Sequence, residues 1–227
     1  MSARTIIVTG AFGHLGNAVA DHFEGMGERV ARIDYAAAPD GAPSHHIGGV
    51  DLADEAAARA ALETVVSELG APSVLINVAG GFVWETLNDG GPATWEHMFR
   101  MNAITAATMC KLITPVLTRQ SGAAIINIGA GAATKADAGM GAYTASKAAV
   151  AKLTESLAAE LADMDVTVNA VLPTIIDTPT NRADMPDTDF STWVRAEDIA
   201  RVIAFLASDA ARSITGASVP VSRGTGG

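Results

Sequence analysis

The sequence predicts an α/β fold with a doubly wound parallel sheet that is covered by helices on both faces. Two observations support this prediction. Continuous apolar, β-branched runs alternate with longer helix-forming stretches, as expected for strands that are buried on both faces. A glycine-rich turn follows the first of these runs and precedes a helix. The length of 227 residues suits a single core, so we predict one domain over residues 1–227.

The alternation assigns the elements in chain order. Five apolar runs predict strands at residues 5–8, 29–33, 74–78, 123–128 and 166–172. Stretches rich in good helix formers predict helices at residues 15–26, 54–69, 93–118, 142–163 and 196–207. Repetition of strand, helix and strand implies crossover connections between parallel strands.

Residues 173–195 form the one long stretch that we expect to be irregular. This stretch contains Pro173, Pro179 and Pro186 together with several Asp and Thr residues, which oppose regular structure. It follows a predicted strand, and ligands of doubly wound sheets bind at the carboxyl ends of strands. We therefore predict a substrate loop.

The charge balance and the start of the sequence exclude several classes of function. The chain carries 25 acidic and 15 basic side chains, a formal net charge of -10, so we predict no nucleic-acid partner. The apolar run near the start has three residues, too few for a signal peptide or a membrane span. We expect no membrane association and a cytoplasmic location.

Cysteine and histidine usage indicates neither a disulfide nor a metal site. Cys110 is the only cysteine, and we expect it to be a small buried hydrophobic residue. Neighbouring residues such as His45 and His46 point to opposite faces of an extended segment. Asp184, Asp187 and Asp189 lack the full spacing of a calcium loop. We therefore predict no bound metal.

The glycine-rich turn predicts a dinucleotide site. Gly10, Gly13 and Gly16 lie where the first strand meets the first helix. Glycines there allow a tight turn and a close approach of the pyrophosphate to the N–H groups that begin the helix. The predicted cofactor-binding residues of this turn are Gly10, Phe12, Gly13, His14, Leu15 and Gly16.

Asp34 predicts which nicotinamide cofactor is bound. It ends the second strand about twenty residues beyond the glycines, where a carboxylate accepts hydrogen bonds from the adenosine ribose. The same carboxylate repels a 2′-phosphate, so NAD(H) is preferred over NADP(H). The role of the nearby Arg32 stays open. Further cofactor contacts are predicted from residues at strand ends, namely Asp51, Leu52, Val78, Ala79 and Gly80.

Tyr143 and Lys147 form a candidate proton-transfer pair. They are four residues apart in a helix-forming stretch and therefore share one helix face. A neighbouring ammonium favours the phenolate and lowers the pKa of the tyrosine from its usual value of about 10. Such a phenol is suited to general acid/base catalysis.

These motifs together resemble the short-chain dehydrogenase/reductase family over nearly the whole chain. The resemblance rests on the glycine turn, Asn77 to Gly80, Asn102, the pair Tyr143 and Lys147, and Leu172-Pro173 followed by Thr178. It implies a single Rossmann-like domain with seven parallel strands. It also implies hydride transfer between a nicotinamide cofactor and a small-molecule substrate, in a homodimer or homotetramer built through the helices at 93–118 and 142–163.

The resemblance assigns roles to individual residues. It implies that Tyr143 gives or takes the proton, and that Lys147 lowers the pKa of Tyr143 and binds the nicotinamide ribose. It implies that Asn102 holds a water of a proton relay. Thr178, which follows Pro173 in the substrate loop, would contact the carboxamide.

The chain departs from the family at two positions. Its middle glycine is Gly13, where the family pattern would place a glycine at His14. The catalytic serine of the family falls at Ala130, which cannot donate a hydrogen bond to a substrate carbonyl. Thr134 or a backbone N–H can take over that donor role.

The missing serine leaves the substrate class open. The dihydropteridine reductases, a branch of the family, also lack it, and their substrate is a quinonoid pterin. Their loop resembles the loop of this chain, but Asn102 matches the main branch, whose substrates are alcohols and ketones. A third reading is a catalytically silent nucleotide-binding sensor. The predicted substrate contacts are Ala130, Phe82, Trp84 and Trp193. The rings of Phe82 and Trp84 can stack on a flat heterocycle.

Overall fold

The computed structural model describes residues 3–223 and shows one sheet of seven strands, all parallel. The strand order is β3-β2-β1-β4-β5-β6-β7, so the connections run outward from β1 in both directions. The doubly wound, Rossmann-like arrangement is therefore confirmed. The strands are β1 (Thr5–Thr9), β2 (Arg29–Ile33), β3 (His46–Ile47), β4 (Val74–Asn77), β5 (Ala123–Ile128), β6 (Val166–Pro173) and β7 (Ser218–Val221).

Helices cover both faces of the sheet. They are α1 (His14–Gly25), α2 (Glu55–Leu69), α3 (Pro92–Met98), α4 (Thr105–Leu117), α5 (Gly141–Glu160), α6 (Pro179–Asp184) and α7 (Ala196–Leu206). Successive side chains of a strand point to opposite faces. Ile6 and Val8 of β1 accordingly pack with α1 and α7, whereas Ile7 packs with α2, α4 and α5. Every strand of the sheet centre is thus buried on two sides.

Capping side chains explain where two of the helices, α2 and α6, begin. The Asp54 side chain accepts hydrogen bonds from the N–H groups of Ala56 and Ala57 and caps α2. Thr178 caps α6 by accepting from Asn181 N–H, and Pro179 occupies the first turn, where it removes no helical hydrogen bond.

The structure differs from the sequence-based assignment of elements in three regions. The helix predicted at 93–118 consists of α3, a π-helical turn at Phe99–Ile104 and α4. The loop at 173–195 contains α6 and a 3₁₀ turn at Phe190–Thr192, because the Thr178 cap and Pro179 favour a helix start. The runs that form β3 and β7 were not located in the sequence, since β3 has two residues and β7 includes Pro220.

Cys110 is buried in α4, as expected, and burial raises the pKa of its thiol to about 12. Within residues 3–223, no helix is both long enough and apolar enough to cross a membrane. The same residues contain no group of three or more His, Cys, Asp or Glu side chains able to hold a metal ion.

Candidate active site

The glycine turn is held against β4 by contacts that only glycine permits. Gly10 has φ +61°, and a Cβ there would lie 2.7 Å from backbone atoms of Ala79. A Cβ on Gly16 would lie 2.0 Å from the carbonyl oxygen of Gly10. Thr9 Oγ1 accepts hydrogen bonds from the N–H groups of Val78 and Ala79 at 3.1 and 3.2 Å. The predicted cofactor residues of the turn and of β4 therefore lie side by side.

The N-terminus of α1 is free to bind an anion. Gly13 precedes the helix, no side chain caps it, and no acidic residue lies in the first turn. Gly13 and His14 are exposed and Phe12 is partly exposed, whereas Leu15 packs into the core. The unpaired N–H groups and the helix dipole at such an end favour a phosphate.

Asp34 lies beside this turn. Its carboxylate accepts hydrogen bonds from the backbone N–H of Phe12 at 2.8 Å and of Ala36 at 3.0 Å. The structure also answers the open question of Arg32. That buried guanidinium forms salt bridges with Asp21 and Glu24 of α1.

Two further predicted cofactor residues are engaged within the protein. The Asp51 carboxylate accepts a hydrogen bond from Arg100 at 2.6 Å, and this interaction lowers the pKa of Asp51. Leu52 is buried in the core with residues of α2.

Lys147 lies on α5 with its ammonium at the carboxyl end of β5. Lys147 Nζ donates to the carbonyl oxygen of Ile128 at 2.9 Å, and burial lowers the pKa of the lysine to about 8. A Cβ on Gly80 would lie 3.2 Å from this nitrogen and 2.5 Å from Asn102 Oδ1. The glycine after β4 thus leaves room for both side chains.

Tyr143 lies one helical turn before Lys147. Its ring meets the Phe82 ring edge to face, with centroids 4.9 Å apart and planes at 89°. Burial raises the pKa of the Tyr143 phenol to about 12. The sequence-based expectation that Lys147 lowers this pKa is therefore not met, because loss of hydration raises it.

Asn102 is buried in the π-helical turn and binds protein groups through its whole amide. Gly81 N–H donates to Asn102 Oδ1 at 3.0 Å, and Asn102 Nδ2 donates to Gly81 O at 3.1 Å. Nδ2 also donates to Ser146 Oγ at 3.0 Å, and Ser146 Oγ donates to Tyr143 O at 2.7 Å. Asn102 thereby links the segment after β4 to α5. Sequence reasoning missed Gly81 and Ser146, although Ser146 lies between Tyr143 and Lys147.

Ala130 is buried and has extended backbone geometry, directly before a 3₁₀ turn at Gly131–Thr134. The Thr134 hydroxyl, a candidate replacement for the missing serine, is exposed and donates to Gly131 O at 2.9 Å. It is occupied within its own turn, so the structure does not support that replacement.

The four predicted loop and aromatic contacts have different environments. Phe82 and Trp84 are 53% and 60% exposed, and Trp84 Nε1 donates to Ala138 O at 3.1 Å. Trp193 is 3% exposed and packs on Phe190, so its ring supports the loop and is not open to a substrate. Thr178 caps α6, as described above.

The substrate loop lies beside the glycine turn. Pro173 ends β6 and is buried at the base of the loop. Arg182 donates hydrogen bonds to the Asp177 carboxylate and lowers its pKa, and His14 of the glycine turn contributes to the same lowering.

Comparison with known proteins agrees with this arrangement. The family model described as short chain dehydrogenase matches residues 4–189. D-threitol dehydrogenase of Mycolicibacterium smegmatis is 29% identical, with 99% of this chain and 93% of that protein covered. The 3-oxoacyl-[acyl-carrier-protein] reductase of Pseudomonas aeruginosa is 30% identical over 99% of this chain and 98% of its own length.

A solved structure extends the likeness to three dimensions. Ligand-free aldohexose dehydrogenase of Thermoplasma acidophilum has a TM-score of 0.84 and 26% identity, covering 96% of this chain and 92% of its own. The fold, the glycine turn and the family match lead to one conclusion. This chain belongs to the short chain dehydrogenase family, whose members are oxidoreductases that bind a nicotinamide cofactor and act on small molecules.

Proposed function

We propose that the protein is an NAD(H)-dependent oxidoreductase in which Tyr143 gives or takes the proton that accompanies hydride transfer. The observation that carries this proposal is the position of the Tyr143 and Lys147 pair. Lys147 reaches the end of β5 and lies against Gly80 at the end of β4. Active sites of doubly wound sheets lie at these strand ends.

The residues around the glycine turn fit a dinucleotide. The free N-terminus of α1 would bind the pyrophosphate, and Asp34 would bind the adenosine ribose. When bound, the nicotinamide supplies the hydride or accepts it. Lys147 keeps N–H donors beyond the one given to Ile128, and these would bind a ribose hydroxyl.

A preference for NAD(H) over NADP(H) follows from two charges on β2 and the residue after it. Asp34 places a carboxylate beside the turn, where it repels a 2′-phosphate. The neighbouring cation, Arg32, is neutralised by Asp21 and Glu24.

At neutral pH, Tyr143 is in the protonated form that reduction of a substrate requires. With a pKa of about 12, its phenol keeps the proton at neutral pH. Tyr143 Oη would donate that proton as hydride reaches the substrate, and Lys147 would stabilise the phenolate that remains. In the reverse direction the phenolate would take the proton of an alcohol.

Two substrate classes are candidates. A small carbonyl or alcohol is favoured by the relatives, which include a D-threitol dehydrogenase and a 3-oxoacyl-[acyl-carrier-protein] reductase. A quinonoid C=N substrate, such as a dihydropterin, is favoured by Ala130, since no hydroxyl at that position polarises a carbonyl.

The test is NADH oxidation with a quinonoid dihydropterin and with a panel of carbonyl compounds, corrected for the uncatalysed reaction. Tyr143→Phe should lower turnover by about 10²- to 10⁴-fold. Tyr35→Phe is the matched control, because Tyr35 is 77% exposed, and it should retain activity. Full turnover in Tyr143→Phe would refute the acid/base role. NADH binding with no turnover of any substrate would favour the nucleotide-sensor reading.

We also propose a homodimer or homotetramer built through the helices at 93–118 and 142–163. This proposal rests on the resemblance to the family, and Ile104, between α3 and α4, is one apolar side chain of this region that is 46% exposed. Size-exclusion chromatography with light scattering should give two or four times the mass of 23.1 kDa. A monomeric mass would reject the assembly.

A further inference from the structure

Phe82 belongs to a segment that is anchored on both sides. Before it, Gly81 exchanges two hydrogen bonds with the Asn102 amide, at 3.0 and 3.1 Å. After it, Trp84 Nε1 donates to Ala138 O at 3.1 Å, and Glu85 N–H donates to Gly139 O at 2.9 Å. We call residues 81–85 the aromatic wall. Its four bonds connect it to the π-helical turn and to the residues just before α5.

Close packing adds to these bonds. A Cβ on Gly81 would lie 2.4 Å from Met101 Sδ. Gly139 has φ +76°, and a Cβ there would lie 2.2 Å from the Trp84 indole. At both glycines the neighbouring side chain packs so closely that no other residue would fit. These contacts fix the backbone on either side of Phe82.

The wall places the Phe82 ring against the catalytic phenol. The ring centroids of Phe82 and Tyr143 are 4.9 Å apart, and the planes are nearly perpendicular. An aromatic edge-to-face contact restricts ring orientation. It also replaces water beside the phenol with apolar surface, which disfavours the phenolate. Phe82 remains 53% exposed despite this contact.

We propose that Phe82 is a positioning residue that fixes the Tyr143 ring and shields its phenol from water. Charged or titratable groups on the surrounding elements include Lys147 on α5, Arg100 in the π-helical turn, Glu96 and His97 on α3, Glu85 on the wall and Asp137 before α5. Lys147 opposes the effect of Phe82, because its ammonium favours the phenolate. The proposal rests on the proposed function only where it concerns turnover, since the ionisation of Tyr143 can be measured without a substrate.

The chain is well suited to that measurement because it contains two tyrosines, Tyr35 and Tyr143. Replacing them with 3-fluorotyrosine gives one ¹⁹F resonance each and makes both phenols more acidic, which keeps the titration in a pH range where the fold can be monitored by circular dichroism. Tyr35→Phe assigns the two signals.

The variants are Phe82→Leu and Phe82→Ala, with Phe205→Leu as the control. Phe205 lies on α7, is 47% exposed, and belongs to another part of the molecule. We expect the titration midpoint of residue 143 to fall by about one pH unit in Phe82→Ala, by a smaller but measurable amount in Phe82→Leu, and to stay constant in the control. Phe82→Leu keeps most of the apolar volume, so it guards against loss of folding. An unchanged midpoint in a folded Phe82 variant would overturn the proposal.

Kinetics separates this proposal from the proposed function. In Phe82→Leu, the pH at which the reduction rate falls on the alkaline side should decrease by the same number of pH units as the ¹⁹F midpoint. If the ¹⁹F midpoint shifts but the alkaline pH dependence of the rate does not, Phe82 is a positioning residue and Tyr143 is not the proton donor. An unmoved midpoint in a protein that loses turnover in Tyr143→Phe would overturn the role of Phe82 alone.

Discussion

The carboxylate of Asp34 is bound to the backbone N–H of Phe12 at a distance of 2.8 Å. This hydrogen bond joins the end of β2 to the glycine turn, so one negative charge lies next to the N–H groups that begin α1. In the proposed function, the carboxylate that binds the turn is also the group that would favour NAD(H) over NADP(H).

Replacing Asp34 with Asn should weaken the preference for NADH over NADPH. Asn keeps an acceptor for the Phe12 N–H and removes the charge that repels a 2′-phosphate. Hydrogen bonds to charged groups contribute about 1.5 to 3 kcal/mol, so the ratio of the two dissociation constants should change by about 10- to 100-fold. Quenching of tryptophan fluorescence by each cofactor measures both constants. Asp40→Asn, at an exposed position, is the control, and an unchanged ratio in Asp34→Asn would contradict the assignment.

Ala130→Ser should raise the turnover of carbonyl substrates by about tenfold, because the new hydroxyl can polarise the substrate oxygen. Turnover of a quinonoid dihydropterin should change little. The rates with the two substrate classes, measured on the same preparation, give the comparison. Ala133→Ser, in the adjacent 3₁₀ turn, should affect neither. Equal changes for both substrate classes would show that Ala130 does not select between them.

Gly16→Ala should destabilise the fold by about 3 kcal/mol, because its Cβ would overlap backbone atoms of Gly10 and Ala11. Gly25→Ala in the same helix meets no atom within 4 Å and should stabilise the protein by about 0.5 to 1 kcal/mol. Urea denaturation of both variants provides the test. Two similar midpoints would mean that the turn adapts to a side chain at position 16.

The free energy of unfolding should rise with pH between about 8 and 10.5 because of Lys147. Its pKa is lowered to about 8 from 10.5, so in this window the unfolded chain binds more protons than the folded one. Between pH 7.5 and 9.5 the gain is about 2 kcal/mol. The raised pKa of Tyr143 acts in the opposite direction, but only above pH 10.

Lys147→Met should remove that rise. Urea denaturation at several pH values, for the wild type and the variant, isolates the contribution of this one side chain. The loss of the bond to Ile128 O lowers the stability of the variant at every pH, so it does not itself produce a dependence on pH. A wild-type slope that persists in the variant would assign the rise to another group.

Sequence reasoning located the parts of the site that depend on short spacings. Gly10, Gly13 and Gly16 are close along the chain, Asp34 follows the next strand, and Tyr143 and Lys147 share one helix turn. Periodicity and spacing encode such relationships directly. The glycine turn and the parallel sheet that carries it could therefore be predicted.

Contacts between distant segments could not be predicted in the same way. Arg32 was left without a role because its partners lie on α1, and helical periodicity does not show which residues face β2. Trp193 was proposed as a substrate contact, but its burial depends on how the loop folds on itself around Phe190. The contact between the Phe82 and Tyr143 rings likewise depends on how residues 81–85 pack against the π-helical turn and the start of α5.

The π-helical turn at Phe99–Ile104 has a consequence for how the site can be altered. A π turn holds one residue more than a regular turn, so removing one residue there would restore ordinary α-helical winding. The helices on either side would keep nearly the same rotational phase, because the π turn already accommodates the extra residue. Asn102 lies inside the turn, so its position would change and its amide would lose its alignment with Gly81 and Ser146. One additional residue in a single helical turn thus brings this amide between the segment after β4 and α5.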